Sequence, residues 1–340
     1  MGITVRHETR STERRAPVVP ADAARLVAAG VAVTVERSPR RAFPVADYVA
    51  AGCAVAEAGS WVDAPDDEYV LGLKELPDEP PGLRHRHIFF GHAYKAQPGA
   101  RELLRRFTTG GGALLDLEYL VDDDGRRLAA FGYWAGYVGA ALAILHHRSA
   151  LPVPLRPMSK EDLDSLLSVP VAGKPPRALV VGALGRSGRG AVAALEAAHV
   201  PTTRWDIEET RALDLPALLN HDILVNTVLV THPVPPFLTP AAVRDNAHRL
   251  SIVADVTCDV GSAHNVLPIY DGLGSWSDPV LTAHGLAVIA IDNLPSLLPA
   301  EASTSFSAEL TPHLARLDDP GGPWQRCIDT FRRHAGVTHV

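Results

Sequence analysis

Short apolar runs alternate with segments of helical period along the first third of the chain. Four runs have the length and composition of buried strands: ITVRHE, VAVTVER, YVLGLKE and HIFFGH. The segments PADAARLVAAG and ARELLRRF between them place their apolar residues on one helical face. Strands that alternate with helices are typical of parallel sheets built from βαβ units. The rhythm resumes near residue 177, so the pattern predicts an α/β protein with two Rossmann-like domains and an active-site cleft between them.

Length and helix pattern suggest where the domains divide. A chain of 340 residues favours about two domains. Residues 128–148 form an apolar stretch in which Gly132, Gly136 and Gly139 fall nearly on one helical face. Glycines there allow another backbone to approach closely, so we interpret the stretch as a long helix that bridges the domains. We therefore predict a first domain over 1–130 and a second over about 131–295.

The second domain opens with a glycine turn that predicts a dinucleotide site. An apolar strand precedes the turn, a helix follows it, and Asp206 comes eighteen residues after the last glycine. The helix N-terminus and loop amides would hold a pyrophosphate, and Asp206 would bind the ribose hydroxyls of NAD. Nearby Arg204 leaves the preference for NAD over NADP open, and a capped turn without a ligand is the alternative. The assigned turn residues are Gly182, Gly185, Arg186, Ser187 and Gly188.

Later strands of this domain also end in polar residues. DILVNTV and SIVADVT each finish with polar side chains, and the strand LAVIAIDN ends in Asp292 and Asn293. Ligands of open α/β sheets bind beyond the carboxyl ends of the strands, although each such residue could instead cap a helix or a turn. The further cofactor candidates are Asn226, Thr227, Asp255, Val256, Asp292 and Leu294.

Two strands of the first domain end in titratable groups, Lys74 and His92. Only four of the 32 basic residues are lysine, and lysine, unlike arginine, can release its proton inside a protein. Neighbouring strands lie ~4.8 Å apart, so the two side chains could serve one substrate atom as acid and base. The alternatives are a salt bridge from Lys74 to Glu75 or Glu118, and a core role for His92.

Arginines near the same strand ends predict an anionic substrate. Arg15 follows the first strand, and Arg126 and Arg127 follow the strand that carries Glu118. Arginine binds carboxylates through paired hydrogen bonds, so several arginines favour a substrate with several carboxylates. Exposed surface arginines are the alternative.

Composition excludes several classes of function. The net charge is −7 and no basic stripe occurs, so we expect no nucleic-acid partner. No apolar run reaches the roughly 18 residues of a membrane span, and the charged start lacks the core of a signal peptide. Cys53, Cys258 and Cys327 have no paired spacing, which predicts no metal site. We expect a cytoplasmic protein without a membrane partner.

Several motifs together resemble one enzyme family. GLKELP, HAYKAQPG, LLDLEYLVDDDGRR, VVGALGRSGRGA and IDNLPSLLPAEAS occur in the order found in NAD-dependent, lysine-forming saccharopine dehydrogenases of the alanine dehydrogenase and transhydrogenase superfamily. The resemblance implies NAD as cofactor, Lys74 and His92 as the acid–base pair, and a reversible cleavage of saccharopine to L-lysine and 2-oxoglutarate. It also implies that the chain from about residue 296 returns to the first domain, and it favours a monomer. The implied substrate-binding residues are Arg15, Lys95, Gln97, Glu118, Arg127 and Phe131.

Departures from the family pattern leave alternatives open. Ala96 replaces the usual acid, Ser187 stands where cysteine is common, and DVTCDVGSAHN differs from the usual run. One alternative couples another amino acid to a 2-oxo acid in specialised metabolism. A second is an alanine dehydrogenase-like deamination, whose substrate has a single carboxylate and would not need both Arg15 and Arg127. A third is an NAD-binding sensor, which would have no use for the Lys74 and His92 pair.

Overall fold

The structure is a computed structural model that describes residues 1–95, 97–170, 173–230, 232–262 and 264–337. Ala96, one of the departures noted above, lies outside the described residues. The chain forms two compact units, Met1–Ala130 with Ala302–Val340, and Phe131–Glu301. The second boundary falls a few residues after the return expected near residue 296.

Strands and helices alternate in both units. The elements before residue 131 are β1 (Gly2–Val5), α1 (Pro20–Ala28), β2 (Ala32–Glu36), α2 (Val45–Ala50), β3 (Ala54–Ala56), β4 (Tyr69–Leu71), β5 (Arg86–Phe89), α3 (Ala100–Gly110) and β6 (Ala113–Asp116). The following elements are α4 (Gly132–His147), α5 (Lys160–Leu167), β7 (Ala178–Val181), α6 (Arg186–Ala197), β8 (Thr202–Trp205), α7 (Ile207–Arg211), α8 (Leu215–Leu219), β9 (Ile223–Asn226), α9 (Pro240–Asp245), β10 (Ile252–Asp255), β11 (Leu281–Ala283), β12 (Leu286–Ile289), α10 (Pro299–Leu314) and α11 (Pro323–Ala335). Among the described residues, no helix combines the length and the apolar character needed to cross a membrane.

The first unit contains a six-stranded parallel sheet in the order β3-β2-β1-β4-β5-β6. β1, β4 and β6 are buried along their whole length, as continuous apolar runs predict, whereas the edge strand β3 is exposed or half-buried. The carboxyl ends of parallel strands share one edge of a sheet. The loops after β1, β4, β5 and β6 therefore leave the sheet side by side.

The last part of the chain completes this unit. Trp324, Cys327 and Phe331 on α11 are buried, and this helix packs on β6. On α10, the Ser303 hydroxyl accepts a hydrogen bond from the Ala16 amide at 2.8 Å, and Ser307 accepts one from Val19 at 3.0 Å. The two serines thus fix the backbone that follows Arg15.

The second unit also has a six-stranded sheet, in the order β11-β12-β10-β9-β7-β8. Five strands are parallel, but β11 pairs antiparallel with β12, which the expectation of purely parallel sheets did not include. His284 and Gly285 link the two strands with φ values of 52° and 82°. Two residues with positive φ are the requirement of a tight hairpin turn, so the HG pair reverses the chain here.

The glycines of α4 let it pack closely on α6. A Cβ at Gly136 would lie 1.8 Å from the Ser187 carbonyl oxygen, and one at Gly190 would lie 1.8 Å from the Tyr133 oxygen. The prediction that another backbone approaches this stripe is confirmed. The approaching backbone is α6, the helix that follows the glycine turn.

An aromatic cluster buries His87 in the first unit. The His87 ring lies edge-on to Trp61 at 5.1 Å and to Phe107 at 5.4 Å between ring centroids, and neither ring nitrogen has a hydrogen-bond partner among the described residues. Burial, reinforced by the charge of Arg6, lowers the pKa of His87 well below its ordinary value of 6.5. The fold therefore holds this imidazole neutral.

Replacing His87 by phenylalanine should change how stability depends on pH. The unfolded chain binds a proton at His87 below about pH 6.5 that the folded chain refuses, so the wild type loses stability as the pH falls. The phenylalanine of His87→Phe cannot titrate, although overpacking can cost about 1–3 kcal/mol at every pH. Chemical denaturation between pH 5 and pH 8 should show that the free energy of unfolding of His87→Phe, relative to the wild type, rises as the pH falls. The same difference for exposed His232→Gln should not rise. A difference that is constant with pH would contradict the assignment.

Candidate active site

The two predicted acid–base residues follow neighbouring strands. β4 and β5 pair in parallel with Leu71 opposite Ile88, so the predicted adjacency of these strands is confirmed. Lys74 is the third residue after β4, and His92 is the third after β5. Both side chains therefore stand beyond the carboxyl edge of the sheet, where ligands of α/β proteins bind.

Lys74 is half-buried and lies close to a buried ion pair. The carboxylate of Glu13 receives two hydrogen bonds from the Arg15 guanidinium, at 2.8 Å and 2.6 Å. Burial alone would raise the pKa of Glu13, but Arg15, helped by the charge of Lys74, lowers that pKa to about 2. The Lys74 amine thus faces a permanent negative charge, and part of the Arg15 fork is committed to holding it.

His92 belongs to a second charged group on the adjacent loops. Its backbone has a φ of 49°, and its side chain is 52 % exposed. The Nδ1 atom lies 3.6 Å from Oε1 of Glu118, while the Lys95 amine lies 3.8 Å from the other oxygen of the same carboxylate. Glu118 therefore sits between two basic groups and reduces their combined positive charge.

Asp116, the last residue of β6, lies beneath this second group. One of its oxygens accepts the Glu118 amide at 2.9 Å, and the amides of Gly91 and His92 also point towards its carboxylate. The other oxygen, Oδ2, makes no hydrogen bond of normal geometry within the described residues. Burial, together with the charge of Glu118, raises the pKa of Asp116 to about 7.

The other predicted substrate residues are distributed over both units. Gln97 accepts a hydrogen bond from the Lys95 amide at 2.8 Å, which places it beside the His92 group. Arg127 is exposed and its backbone bridges to Val121. Phe131 is partly buried and belongs to the second unit, where it caps α4.

Three buried acids near these groups were not identified from the sequence. Glu8, Glu13 and Asp116 are each at most 6 % exposed. Their sequence positions could have identified them, because each acid follows or ends a strand whose loop carries a candidate residue. Glu8 and Glu13 both lie in the charged run RHETRSTERR, where neighbouring charges of both signs indicate an exposed segment.

The glycine turn of the second unit has the shape of an anion site. Gly182 adopts a φ of 82°, and a Cβ at Gly188 would lie 2.0 Å from the Gly182 oxygen, so both positions require glycine. Gly185 caps α6 without a side-chain hydrogen bond, and a Cβ there would meet only one atom within 4 Å. A twelve-residue helix that begins at such an open turn attracts a phosphate group.

Asp206 joins this turn to the end of β8. Its two oxygens accept the amides of Leu184 and Ile207, both at 2.9 Å. The side chains of those two residues are 72 % and 57 % exposed, which is unusual for apolar groups. Arg204 makes an ion pair of 2.6 Å with Glu196.

The remaining cofactor candidates occupy contrasting environments. Thr227 donates to the Val181 oxygen at 2.8 Å and so braces the glycine turn. Asp255 is 1 % exposed, and its carboxylate accepts hydrogen bonds from Asn226, Thr257 and Tyr270 within the unit. Val256 and Leu294 line the Gly139 face of α4, whereas Asp292 is exposed.

Family models match both halves of the chain. The N-terminal domain of alanine dehydrogenase/PNT matches residues 4–138, and the C-terminal domain matches residues 168–330. A saccharopine dehydrogenase (NAD(+), L-lysine-forming) of Yarrowia lipolytica is 38% identical over 97% of this chain and 96% of its own length. The enzyme of the same name from Emericella nidulans is 40% identical over the same shares. The chain belongs to the saccharopine dehydrogenase family.

The fold of this family member also resembles solved structures of more distant enzymes. An L-alanine dehydrogenase superposes with a TM-score of 0.71 at 17% identity, covering 100% of this chain and 97% of that one. The transhydrogenase of Sinorhizobium meliloti gives a TM-score of 0.65 at 16% identity, over 93% and 94% of the two chains. These likenesses confirm the two-domain α/β fold class. As a member of the saccharopine dehydrogenase family, the chain is an oxidoreductase.

Replacing Asp116 by asparagine should remove a pH-dependent cost to the fold. With a pKa near 7, the folded state keeps a proton on Asp116 that the unfolded chain has lost above about pH 4, so this residue destabilises the fold increasingly as the pH rises. The free energy of unfolding of Asp116→Asn, relative to the wild type, should therefore rise from pH 4 to pH 7, by up to roughly 4 kcal/mol.

The measurement is chemical denaturation across that pH range, with exposed Asp67→Asn as the control. The control should run parallel to the wild type. An Asp116→Asn difference that does not grow with pH would show that this carboxyl titrates normally in the fold.

Proposed function

We propose that the protein catalyses the reversible, NAD-dependent cleavage of saccharopine to L-lysine and 2-oxoglutarate. The observation that carries the proposal is the pair of charged groups at one sheet edge, Lys74 beside Glu13 and Arg15, and His92 beside Glu118 and Lys95. Relatives that bear the name saccharopine dehydrogenase match the chain over nearly its whole length. Two titratable groups next to cationic side chains suit an amino-acid substrate that bears several carboxylates.

The acid–base pair would handle the protons of this reaction. One of Lys74 and His92 takes the proton from the secondary amine, and the other removes a proton from the water that adds to the oxidised carbon. The same groups return protons as the carbon–nitrogen bond breaks, since the steps require alternate uptake and release. Glu13 and Glu118 offset part of the positive charge that Lys74, His92 and the neighbouring cations bring to this edge of the sheet.

The carboxylates of the substrate would be bound by the surrounding cations and amide. We assign this role to Arg15, Lys95, Gln97 and Arg127, with Phe131 providing an apolar contact. Glu13 accepts hydrogen bonds from two of the five N–H groups of the Arg15 guanidinium. Glu118 positions Lys95 through the 3.8 Å ion pair.

NAD would bind at the glycine turn of the second unit. The amides at the start of α6 would hold the pyrophosphate, and the Asp206 carboxylate would bind the adenosine ribose. The exposed apolar side chains of Leu184 and Ile207 flank that carboxylate and suit the faces of an adenine base. Bound NAD would supply the acceptor for the hydride that leaves the substrate carbon. Thr227, Val256, Asp292 and Leu294 stay in the proposed cofactor set, and the buried Asp255 would act by shaping the backbone.

We further propose NAD over NADP. The Asp206 carboxylate would repel the extra ribose phosphate, and Arg204, the nearest candidate to accept that phosphate, is engaged by Glu196 at 2.6 Å. The monomeric state and the cytoplasmic location stay predictions.

Turnover should require lysine, 2-oxoglutarate and NADH together. Oxidation of NADH followed at 340 nm with 2-oxoglutarate and a panel of amino acids should be fastest with lysine, and Lys74→Met combined with His92→Gln should lower kcat about 100-fold or more. Exposed Lys174→Met provides a control that removes a different lysine. Activity with another amino acid but not with lysine would change the proposed substrate and leave the proposed acid–base mechanism in place. Turnover of a substrate with one carboxylate that survives loss of Arg127 would favour deamination, and no turnover at all would favour the sensor.

Cofactor choice should depend on Asp206. Asp206→Asn keeps the size and one acceptor of the side chain but loses its charge, so KM for NADH should rise about tenfold and the NADPH to NADH ratio of kcat/KM should rise with it. Arg204→Gln should leave the ratio unchanged, because that arginine is already paired with Glu196. Equal ratios for Asp206→Asn and wild type would refute the ribose assignment.

A further inference from the structure

A buried carboxylate with no place in the proposed chemistry holds the backbone at Lys74. The side chain of Glu8 is 7 % exposed, and its two oxygens accept the amides of Leu73 at 2.7 Å and of Lys74 at 3.0 Å. Arg6 lies 3.4 Å from the same carboxylate and donates a short hydrogen bond to the carbonyl oxygen of Lys74. The peptide groups on both sides of the Lys74 Cα are therefore fixed by one ion pair.

The surrounding residues leave this ion pair little freedom. Arg6 is 1 % exposed, and its guanidinium lies over the ring of Phe89 at 5.7 Å. A Cβ at Gly72 would lie 2.3 Å from Nε of Arg6, so only glycine at that position admits the guanidinium. The glycine of the GLKE motif thus makes room for the group that holds the lysine two residues later.

Burying the Arg6–Glu8 ion pair costs free energy, because both charges lose their contact with water. Burial raises the pKa of Glu8, with the charge of Glu13 adding to the effect and Arg6 opposing it. An ion pair this deeply buried is often no more stabilising than apolar residues of the same volume. The pair has a specific effect on the backbone, because it fixes the amides of Leu73 and Lys74 and the carbonyl group of Lys74. These groups lie in a loop, where no helix or strand fixes them.

We propose that the Arg6–Glu8 pair is a positioning device for Lys74. It sets the direction in which the Lys74 side chain leaves the backbone and so keeps the amine next to the Glu13 carboxylate. Neither Arg6 nor Glu8 contacts the substrate or takes part in proton transfer. The inference rests on the proposed role of Lys74 as one of the two acid–base groups.

A double-mutant cycle tests the proposal. Glu8→Gln preserves the shape of the side chain, but its amide nitrogen cannot accept, so one of the two backbone amides loses its partner. In the otherwise wild-type enzyme, kcat for lysine-dependent NADH oxidation should fall about tenfold or more, with KM for each substrate within about threefold. In the Lys74→Met background the same change should alter the residual kcat by less than about twofold, because there is no amine left to position.

Glu36→Gln is the matched control. Glu36 is also fully buried and accepts two backbone amides, from His7 and Trp61, both at 2.7 Å. Glu36 ends β2, and the two amides that it holds lie outside the Lys74 loop, so this variant should lose a similar amount of thermal stability while keeping kcat within about threefold in both backgrounds. A loss of kcat from Glu8→Gln that is equal with and without Lys74, or that Glu36→Gln reproduces equally in both backgrounds, would overturn the proposal.

Gly72→Ala keeps the test available if Glu8→Gln folds poorly. The added methyl displaces Arg6 without removing either charge, and the cycle with Lys74→Met should give the same non-additive result. Additive losses would overturn the proposal here as well. Failure of the proposed function is distinguishable, because Lys74→Met alone would then leave turnover unchanged.

Discussion

The parallel pairing of β1, β4, β5 and β6 is the constraint on which the candidate site depends. Parallel strands leave all their carboxyl ends at one edge, so four loops that are far apart in sequence start side by side. Because β1, β4 and β6 are buried along their length, the charged side chains of the site collect at the strand ends and in the loops that follow them. The sheet topology therefore places the candidate site at this edge, and the residues of the loops determine which reaction the site can support.

Most of the carboxylates at this edge are paired with cationic side chains, some in the interior and some nearer to solvent. Glu13 is neutralised by Arg15 and Glu8 by Arg6, both within the protein interior. Glu118 shares its charge with His92 and Lys95 nearer to solvent. Asp116 differs, because it is buried beside the Glu118 carboxylate, and its pKa rises to about 7. A proton therefore takes the place that a cation holds elsewhere.

Period and composition were sufficient to predict the sheets, the adjacency of β4 with β5, and the close approach at the α4 glycines. These features follow from local patterns that are read directly, such as buried apolar runs and glycines spaced for one helical face. The hairpin at His284 and Gly285 was missed because histidine seldom adopts a positive φ, so HG gives a weaker signal than NG. The buried acids were missed because the charge of Glu8 or Glu13 in the sequence indicates exposure, and only the tertiary position of an arginine reverses that expectation.

The scarcity of lysine has a physical counterpart in this site. Arg15 makes a forked contact with the buried Glu13 carboxylate, and Arg6 pairs with Glu8 while it donates to the Lys74 carbonyl oxygen. A lysine ammonium could not reproduce these fixed, planar arrangements. The proposed role of Lys74 sets a different requirement, because a group that takes up and returns protons must be able to lose its charge. On that proposal, arginine serves where a permanent charge holds the backbone, and lysine serves at the adjacent position where the charge must change. The same proposal accounts for a lysine at residue 74 in a chain that otherwise places arginine at almost every basic position.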